Sequence, residues 1–369
     1  MRALFCLLAA AVVCTLTGRD FLSMKKEEAI FPSPDLSAKK SLSDYFFRLK
    51  NTPGDTPVYI FEGPRKGGTL LILGGTHPNE PAGFITSVIL VENLAVQQGR
   101  VIIVPRANNS GFMHNDPQEG NPQKYSIDTR EGTRWFRYGS RLTNPVHQWP
   151  DPVLYVNPSG QKLSGTEGRN LNRCYPGRER GYLTEKIAYG MMELIRKEKV
   201  DLSVDLHEAA PEYPVINAMV FHENSAELAA TAMMTLQLED VDIRLEASPP
   251  NLRGLSHREW GDFASTMAIL LETANASHGR LKGKPSASLI IEGKDKNYLK
   301  AAQLGRLFVP YDAEGIPLKQ RVSRHLASLR ALVSSLIELQ PDLSIQMENI
   351  PIAAEIEKVG IGPFLTPQK

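Results

Sequence analysis

Short apolar runs and runs with helical periodicity alternate along the middle of the chain. The run TLLIL at residues 69–73 is bounded by glycine pairs, which is typical of a buried strand. Residues 81–98 predict a helix, with Pro81 in its first turn and Gly99 as its stop. The run RVIIVP at residues 100–105 predicts the next buried strand. A strand, a helix and a strand in this order predict a right-handed βαβ unit and hence a parallel sheet.

The same patterns continue through the rest of the chain. Residues 200–206 and 267–271 are apolar runs that predict two more strands of this sheet, and residues 188–197 predict a helix before the first of them. Residues 42–49 predict the first helix of the domain, and residues 318–339 predict a long amphipathic helix. We therefore predict an α/β fold with a mixed, largely parallel twisted sheet and helices on both of its faces.

Residues 108–168 interrupt this regular pattern. Gly, Pro, Asn, Asp and Ser recur every few positions, and four arginines and two tryptophans (Trp135 and Trp149) lie among them. Such a long irregular stretch within a domain is typical of a functional lid or a disordered insertion. Because aromatic rings need a surface to pack on, the tryptophans favour an ordered insertion.

The first residues form a unit of their own. Arg2 precedes residues 3–18, which carry no charge, and this predicts a secretory signal at residues 1–18. The apolar run is shorter than the roughly 20 residues that a membrane-spanning helix needs. We therefore predict export to the periplasm or outside the cell. An uncleaved N-terminal anchor, or a cytoplasmic protein that starts at Met24, is the alternative.

The remaining boundaries follow from composition. Residues 19–54 are rich in Ser, Pro, Lys and Asp and predict a linker or N-terminal segment, residues 55–340 one large domain, and residues 341–369 a C-terminal tail. Outside the leader only Cys174 remains, so no internal disulfide can form there.

The overall charge points to no polyanionic partner. The 369 residues carry a formal net charge of +1 with 22% charged residues, so no global field favours nucleic acid. We expect no nucleic-acid partner and no stable membrane span beyond an N-terminal anchor.

Ionisable side chains follow four of the predicted strands. His77 and Glu80 follow the first strand, Arg106 the second, His207 the third and Glu272 the fourth. In an open α/β sheet, ligands bind outside the carboxyl ends of the strands. These side chains are therefore predicted to lie at one edge of the sheet.

Three of these residues have the chemistry of metal ligands. Gly74, Gly75 and the helix start at Pro81 allow the loop to aim an imidazole and a carboxylate at a common point. Two histidines and one glutamate, with a position left open for water, are typical of a catalytic zinc site. We predict one Zn²⁺ per chain. The alternative is a set of hydrogen-bonded polar residues at loop starts.

Five motifs together resemble a known family. They are GGTHPNEPAG (74–83), PRA (105–107), NLNRCYPG (170–177), DLHEA (205–209) and LLETANASHG (270–279). In this order they resemble the succinylglutamate desuccinylase and aspartoacylase family, a branch of the zinc carboxypeptidase fold. The resemblance covers roughly residues 55–300 and implies a zinc hydrolase catalytic domain within residues 55–340.

The resemblance implies that the zinc ligands are His77, Glu80 and His207. It also shows a departure, because this chain has Asn170 where the family usually has an Asp that orients a histidine ligand. An Asn can still accept the imidazole N–H but raises ligand basicity less. Asp205, two residues before His207 on the same strand face, is a candidate for a similar role, and a simple backbone hydrogen bond is its alternative.

The resemblance also implies roles in the reaction. Glu272 resembles the general base and proton shuttle, and Arg106 resembles the arginine that polarises the scissile carbonyl. Asn172 and Arg173 resemble the pair that binds the free carboxylate of the substrate, for which a planar guanidinium is well suited. Should Glu272 not be the shuttle, Glu208 is the next candidate.

The predicted function is hydrolysis of an amide bond next to a free carboxylate, with a small amide or a peptide as the substrate. Deacylation of an N-acyl amino acid is the leading interpretation, and an exported metallocarboxypeptidase is the alternative. A non-catalytic zinc module is a third class, which an intact Glu272 disfavours. The insertion at 108–168 is longer than expected between these motifs, and Tyr298 and Tyr311 are only candidates for a substrate-binding tyrosine.

Overall fold

A computed structural model describes residues 2–24, 26–116 and 118–367. Its strands are β1 (Ala38–Ser41), β2 (Pro57–Glu62), β3 (Arg65–Leu73), β4 (Ala95–Val104), β5 (Lys124–Thr129), β6 (Gly132–Arg137), β7 (Leu154–Val156), β8 (Lys162–Ser164), β9 (Leu202–Ala209), β10 (Ala218–Phe221), β11 (Arg244–Ala247), β12 (Met267–Ala274) and β13 (Gln346–Glu348). Its α-helices are α1 (Arg2–Met24), α2 (Leu42–Tyr45), α3 (Pro81–Asn93), α4 (Leu183–Glu198), α5 (Ala226–Leu238), α6 (Ser256–Ala264), α7 (Ala287–Glu292), α8 (Lys296–Gln303), α9 (Leu318–Leu339) and α10 (Ala353–Val359).

Nine of these strands form one sheet. Their order is β1-β2-β4-β3-β9-β12-β10-β11, and β13 pairs with β4. The central strands β4, β3, β9 and β12 are mutually parallel, whereas β2 on one side and β10 on the other run antiparallel to them. The predicted βαβ unit is β3-α3-β4. The mixed, largely parallel sheet predicted from the sequence is thus confirmed.

Alternate side chains of the central strands belong to two hydrophobic cores, one on each face of the sheet. Leu70 and Ile72 of β3 pack in the core that contains α3, α5 and α9. Leu71 and Leu73 pack in the core that contains α2, α4 and α6. Because both faces are covered, these strands are apolar at every position rather than at every second one. The predicted helices on both faces are confirmed.

The predicted helix 81–98 ends earlier than expected. Helix α3 ends at Asn93, and β4 begins at Ala95 because Val96 and Gln98 pair with β13. Gly99 lies inside β4 with φ +73° and is not a helix stop. The predicted helix 318–339, in contrast, coincides with α9.

The N-terminal helix α1 is longer than the leader predicted at residues 1–18. Residues 2–23 are long and apolar enough to cross a membrane, and none of this span is buried by the rest of the chain. A secretory signal has the same properties, so the structure is consistent with a leader and with an anchor.

The segment after α1 is part of the folded domain in this structure. Strand β1 extends the sheet by pairing with β2, and Leu42 and Leu49 are fully buried. The composition of residues 19–54 predicts a linker. It does not indicate these contacts, because the residues that β1, Leu42 and Leu49 contact lie elsewhere in the chain.

The insertion at residues 108–168 is ordered, as its composition with tryptophans predicts. It contains the hairpin β5–β6 and the short ribbon β7–β8. Tyr125 and Phe136 of the first hairpin are buried in the main core, whereas Trp149 is 76% exposed. The order therefore comes from these two rings and not from Trp149.

The C-terminal segment also packs on the domain. Strand β13 pairs with β4, and Ile356 of α10 is fully buried. The tail predicted at residues 341–369 thus covers part of the main core, and its last two residues lie outside the described part of the chain.

Candidate active site

The loop after β3 brings His77 and Glu80 to the carboxyl edge of the sheet. Gly75 has φ +64°, and a Cβ atom there would lie 2.7 Å from the ring of Phe112. Only glycine meets both conditions, so the backbone turns sharply before His77. The Glu80 N–H then donates to the His77 carbonyl at 2.9 Å, and Pro81 begins α3. The turn predicted from the glycines is present.

Strands β9 and β12 supply the other side of the site. In their parallel register His207 pairs with Glu272, so both side chains leave the sheet on the same face. Asp205 lies two residues before His207 and shares this face. The alternation of the strand thus places one histidine and two carboxylates together.

Three buried side chains converge on one point. Nδ1 of His77 lies 2.7 Å from Oε1 of Glu80, and Nδ1 of His207 lies 3.0 Å from Oε2 of Glu80. The two Nδ1 atoms are only 3.1 Å apart. Each of the three residues is 1% exposed. The sequence therefore predicted a group that the fold does bring together.

The opposite nitrogen of each imidazole faces the oxygen of another side chain. Nε2 of His77 lies 2.9 Å from Oδ1 of Asn170, and Nε2 of His207 lies 2.8 Å from Oδ2 of Asp205. Asn170 is in turn oriented because its amide donates to Glu167 at 2.8 Å. Asp205 accepts a hydrogen bond from Thr76 Oγ1 at 2.7 Å. Both residues thus contact the two histidines, which is the placement considered for them from the sequence.

These contacts determine what the centre can bind. Asn170 accepts the N–H of His77 Nε2, which leaves the Nδ1 lone pair of that ring directed at Glu80. Two imidazole nitrogens and a carboxylate this close together require a proton or a metal ion between them. Two nitrogens and one carboxylate, each ring oriented by a second group, are the donor set of catalytic zinc sites. The residues fit a divalent metal ion such as zinc.

Burial and charge act in opposite directions on the three groups. Burial lowers the pKa of His77 to about 4. Burial also opposes charge on His207, but the carboxylates of Asp205 and Glu80 hold the pKa of His207 well above its usual value. The two imidazoles likewise hold the pKa of Glu80 well below its usual range despite its burial. The glutamate is therefore an anion, as a metal ligand must be.

A cleft of about 990 Å³ opens beside this centre. Glu272 lines it and is half-buried, and its Oε2 atom has no hydrogen-bond partner among the described residues. Burial raises the pKa of Glu272 to about 8. A carboxylate without a partner beside the metal ligands can take up a proton from a group in the cleft.

The arginine that lines the cleft is not the one that the sequence indicated. Arg106 is 4% exposed and lies against Glu28 at 2.8 Å and Glu27 at 3.1 Å, outside the cleft. Arg141 of the insertion lines the cleft, and its Nη1 donates to Oε1 of Glu80 at 3.1 Å. The fold does not bring Arg106 to the metal ligands. The sequence signal for Arg141 was only its membership of the arginine run in the insertion.

The predicted carboxylate-binding pair is divided. Arg173 lines the cleft, and burial together with the nearby charge of Arg141 lowers its pKa. Asn172 is buried, and its side-chain oxygen accepts the Ser256 N–H at 2.8 Å. Asn172 therefore ties α6 to the site, and Arg173 is the member of the pair that faces the cleft.

Neither candidate tyrosine reaches the cleft. The hydroxyl of Tyr298 donates to Glu212, and that of Tyr311 donates to the Gly293 carbonyl. Tyr213, in the loop after β9, lines the cleft instead and is 43% exposed. No pattern in the sequence marked it, because its loop carries no periodicity.

Comparison with known proteins agrees with this architecture. Residues 66–282 match the model of the succinylglutamate desuccinylase/aspartoacylase catalytic domain. The chain belongs to this family, whose members are hydrolases, and the resemblance seen in its five motifs is confirmed. No curated protein sequence matches the chain.

Solved structures of similar fold were also found. A succinylglutamate desuccinylase/aspartoacylase from Rhodobacter sphaeroides shares 20% identity over 59% of this chain and 51% of that one, with a TM-score of 0.36. An aspartoacylase family protein from Mesorhizobium loti shares 19% identity over 68% and 65%, with a TM-score of 0.39. The tripeptide-bound cell shape determinant Csd4 from Helicobacter pylori shares 11% over 82% and 59%, with a TM-score of 0.46. The chain thus spans about half to two thirds of each of these structures.

Proposed function

We propose that the protein is a zinc-dependent hydrolase that cleaves an amide bond next to a free carboxylate, with N-acyl amino acids as its main substrates. The observation that carries this proposal is the convergence of His77, Glu80 and His207 beside a cleft lined by Glu272 and Arg173. Water adds across the amide, and the products are a carboxylate and an amine.

His77, Glu80 and His207 would hold one zinc ion through two nitrogens and a carboxylate. A zinc ion in this position supplies a Lewis acid that allows water to ionise near neutral pH. Asn170 and Asp205 lie against the outer nitrogens of the two rings, which supports Nδ1 of each ring as the metal-facing atom.

Glu272 is the proposed proton shuttle. It takes a proton from the attacking water and returns it to the nitrogen of the leaving amine. Its unpartnered oxygen and its position beside His207 support this role. Glu208, the other candidate, also lines the cleft, but each of its oxygens is already engaged, one by Arg321 and the other by the Ala82 N–H.

Arg141 is the proposed stabiliser of the oxyanion that forms when water attacks the carbonyl. Its guanidinium is always charged and lies in the cleft next to Glu80. Arg106 was the expected residue, but its charge is neutralised by Glu28 on the far side of the loop. We therefore assign the stabilisation of the oxyanion to Arg141 of the insertion and not to Arg106.

Arg173 is the proposed ligand of the substrate carboxylate, and Tyr213 is the proposed wall of the subsite. The guanidinium of Arg173 presents a planar set of donors that matches a carboxylate. Tyr213 suits this role because it lines the cleft and its side chain is exposed there.

The size of the cleft favours a second candidate function. About 990 Å³ is the upper end of the range for small-molecule pockets, which is more than an N-acyl amino acid requires. An exported carboxypeptidase that removes a C-terminal residue from peptides would use the same groups and fill more of this space.

Metal analysis and a substrate panel test the proposal together. The purified protein should hold about one zinc per chain, and His77→Ala or His207→Ala should lose it. The zinc-loaded enzyme is then assayed on N-acyl amino acids and on short peptides with free C-termini. Full zinc in both variants would refute the ligand assignment. Faster turnover of peptides would transfer the function to the second candidate.

A further inference from the structure

A second cavity lies outside the active-site cleft. It has a volume of about 270 Å³ and is formed between α9, the end of β12 and the loop at residues 309–316. Its lining includes Arg324, Asn217, two aspartates (Asp242 and Asp312) and the apolar side chains Val309 and Ile316. The space corresponds to roughly nine water molecules at about 30 Å³ each. This is enough for one small organic molecule.

The guanidinium of Arg324 is an incompletely satisfied cation in this cavity. Nη1 donates to Oδ1 of Asn217 at 3.0 Å, while Nε is buried and has no partner. Within the described residues, no carboxylate oxygen forms an ion pair with it. Burial lowers its pKa, and the charges of Asp242 and Glu357 only partly compensate. A half-buried guanidinium with a buried, unpartnered Nε is destabilising unless an anionic group reaches it.

The other walls of the cavity differ in character. Asp242 and Asp312 lie at its rim and are exposed, and neither reaches Arg324 with an ion pair. Val309 and Ile316 are buried and supply an apolar part of the lining. A cation, two exposed carboxylates and apolar side chains in one cavity are complementary to a molecule with both charges and a small apolar part.

We propose that this cavity binds a free α-amino acid as its zwitterion. The carboxylate of the ligand is bound by Arg324 and its ammonium group by Asp242 or Asp312, with the side chain against Val309 and Ile316. An amino acid carries both opposite charges and a small apolar group in a molecule that fits within about 270 Å³. The site is separate from Arg173, the carboxylate ligand in the cleft.

Binding at this cavity has a structural readout. Oδ1 of Asn217 accepts both the Arg324 donor and the Ala274 N–H at 2.9 Å, so Asn217 connects α9 with the end of β12. A ligand that neutralises Arg324 stabilises the native state over the unfolded one. The melting temperature should therefore rise with amino-acid concentration.

The experiment uses the full chain carrying Arg173→Leu, so that binding in the cleft does not contribute. Calorimetry and thermal melting are measured with L-alanine, L-valine and L-leucine, and with two analogues that each lack one charge, L-alaninamide and N-acetyl-L-alanine. The free amino acids should bind, and both analogues should bind far more weakly. Adding Arg324→Gln should weaken binding roughly 10- to 150-fold, the effect of one charge-assisted contact. Arg330→Gln, at an exposed position of the same helix, is the matched control and should change nothing.

Several outcomes would overturn the proposal. They are equal binding of L-alaninamide or N-acetyl-L-alanine, unchanged binding after Arg324→Gln, and no binding of any amino acid at millimolar concentration. If circular dichroism shows that Arg324→Gln does not fold, binding is measured instead with the double variant Asp242→Asn and Asp312→Asn. Both positions are exposed, and asparagine at 312 can still accept the Glu314 N–H. Unchanged binding in that variant would equally refute the ammonium site.

Discussion

At the scale of single residues, the geometry of the proposed metal centre depends on the ring atoms of His77 and His207 that face away from it. Asn170 and Asp205 hold the outer nitrogens of the two imidazoles, and this orients the inner nitrogens toward Glu80. Asn170 is neutral where Asp205 is charged, so the two histidines are held with different strength. Glu80 acts on both imidazoles, so the charge of Asp205 beside His207, and that of Arg141 near His77, explains why only His207 has a raised pKa.

The role of Glu272 leads to a prediction for one substitution. Glu272→Gln keeps the shape of the side chain but cannot carry the proton, and general-base catalysis typically contributes about 10²–10⁴-fold. We expect kcat to fall by this factor while zinc content and the melting temperature stay near those of the wild type. Glu239→Gln, at an exposed position far from the cleft, should leave kcat unchanged. Near-normal turnover of Glu272→Gln would show that the proton uses another route.

The role of Arg173 leads to a prediction for a pair of changes. Replacing the substrate carboxylate by an amide should lower kcat/KM of the wild type about 10- to 150-fold, because a charge-assisted contact of roughly 1.5–3 kcal/mol is lost. In Arg173→Leu the acid should already be poor, so blocking it should matter little. Arg173→Lys should be intermediate, since it keeps the charge and loses the planar donors. Kinetics of both proteins on both substrate forms test this. Strictly additive effects would assign the carboxylate to a different residue.

At the scale of secondary structure, the local sequence pattern predicted the helices and strands. It did not predict element ends that depend on pairing with distant parts of the chain. Helix α9 was predicted with its observed ends because 22 residues of amphipathic periodicity contain the information locally. The end of α3 was placed at residue 98 instead of Asn93, since the strand that replaces its last turns pairs with residues 346–348. Tertiary pairing of this kind overrides local propensity.

The residues of the candidate site fall into the same two groups: those placed by local pattern and those placed by contacts with distant segments. His77, Glu80, His207 and Glu272 follow predicted strands, and the sheet topology was enough to bring them together. The position of Arg106 could not be predicted because it depends on Glu28, which lies in a segment without periodicity. The local sequence pattern predicts where strands end, but it does not predict which side chains form ion pairs with irregular segments.

The two arginines therefore predict opposite consequences. Arg141→Gln should lower kcat about 10²–10³-fold, because it removes the charge that stabilises the oxyanion. Stability should change little, because the Arg141 side chain is exposed. Arg106→Gln should lower the free energy of unfolding, because it leaves Glu28 partly uncompensated, and the folded fraction should keep its kcat. Kinetics normalised to folded, zinc-loaded enzyme and urea unfolding distinguish the two. A large loss of kcat in Arg106→Gln alone would return the oxyanion role to that residue.

At the scale of the whole molecule, both ends of the chain close the main core. Strands β1 and β13 extend the sheet, and the Thr366 N–H donates to Glu92 of α3 at 2.8 Å. The segment directly after α1 is held by Glu28, whose carboxylate contacts Arg137 at 2.7 Å and Arg106 at 2.8 Å. Whatever the function of α1, the folded domain begins only a few residues after the end of this helix.

This arrangement predicts how stability depends on pH. Burial opposes charge on Glu28, but Arg137 and Arg106 lower its pKa from 4.5 to about 2. A carboxyl group whose pKa is depressed in the folded state stabilises the protein above pH 4.5, and this contribution is lost as the pH falls toward 2. At roughly 1.36 kcal/mol per unit, the shift corresponds to about 3 kcal/mol.

Glu28→Gln should accordingly lower the free energy of unfolding by about 3–5 kcal/mol at pH 7, since two buried guanidinium groups lose their shared partner. The deficit should shrink steadily between pH 4.5 and 2, because the wild-type carboxyl becomes neutral over this range. Urea unfolding of the full chain in detergent, measured at several pH values, tests the prediction. Glu27→Gln is the matched control, because Glu27 is 43% exposed and contributes at most a surface ion pair to Arg106. A deficit in Glu28→Gln that is independent of pH would assign the loss to packing and not to the charge of this carboxylate.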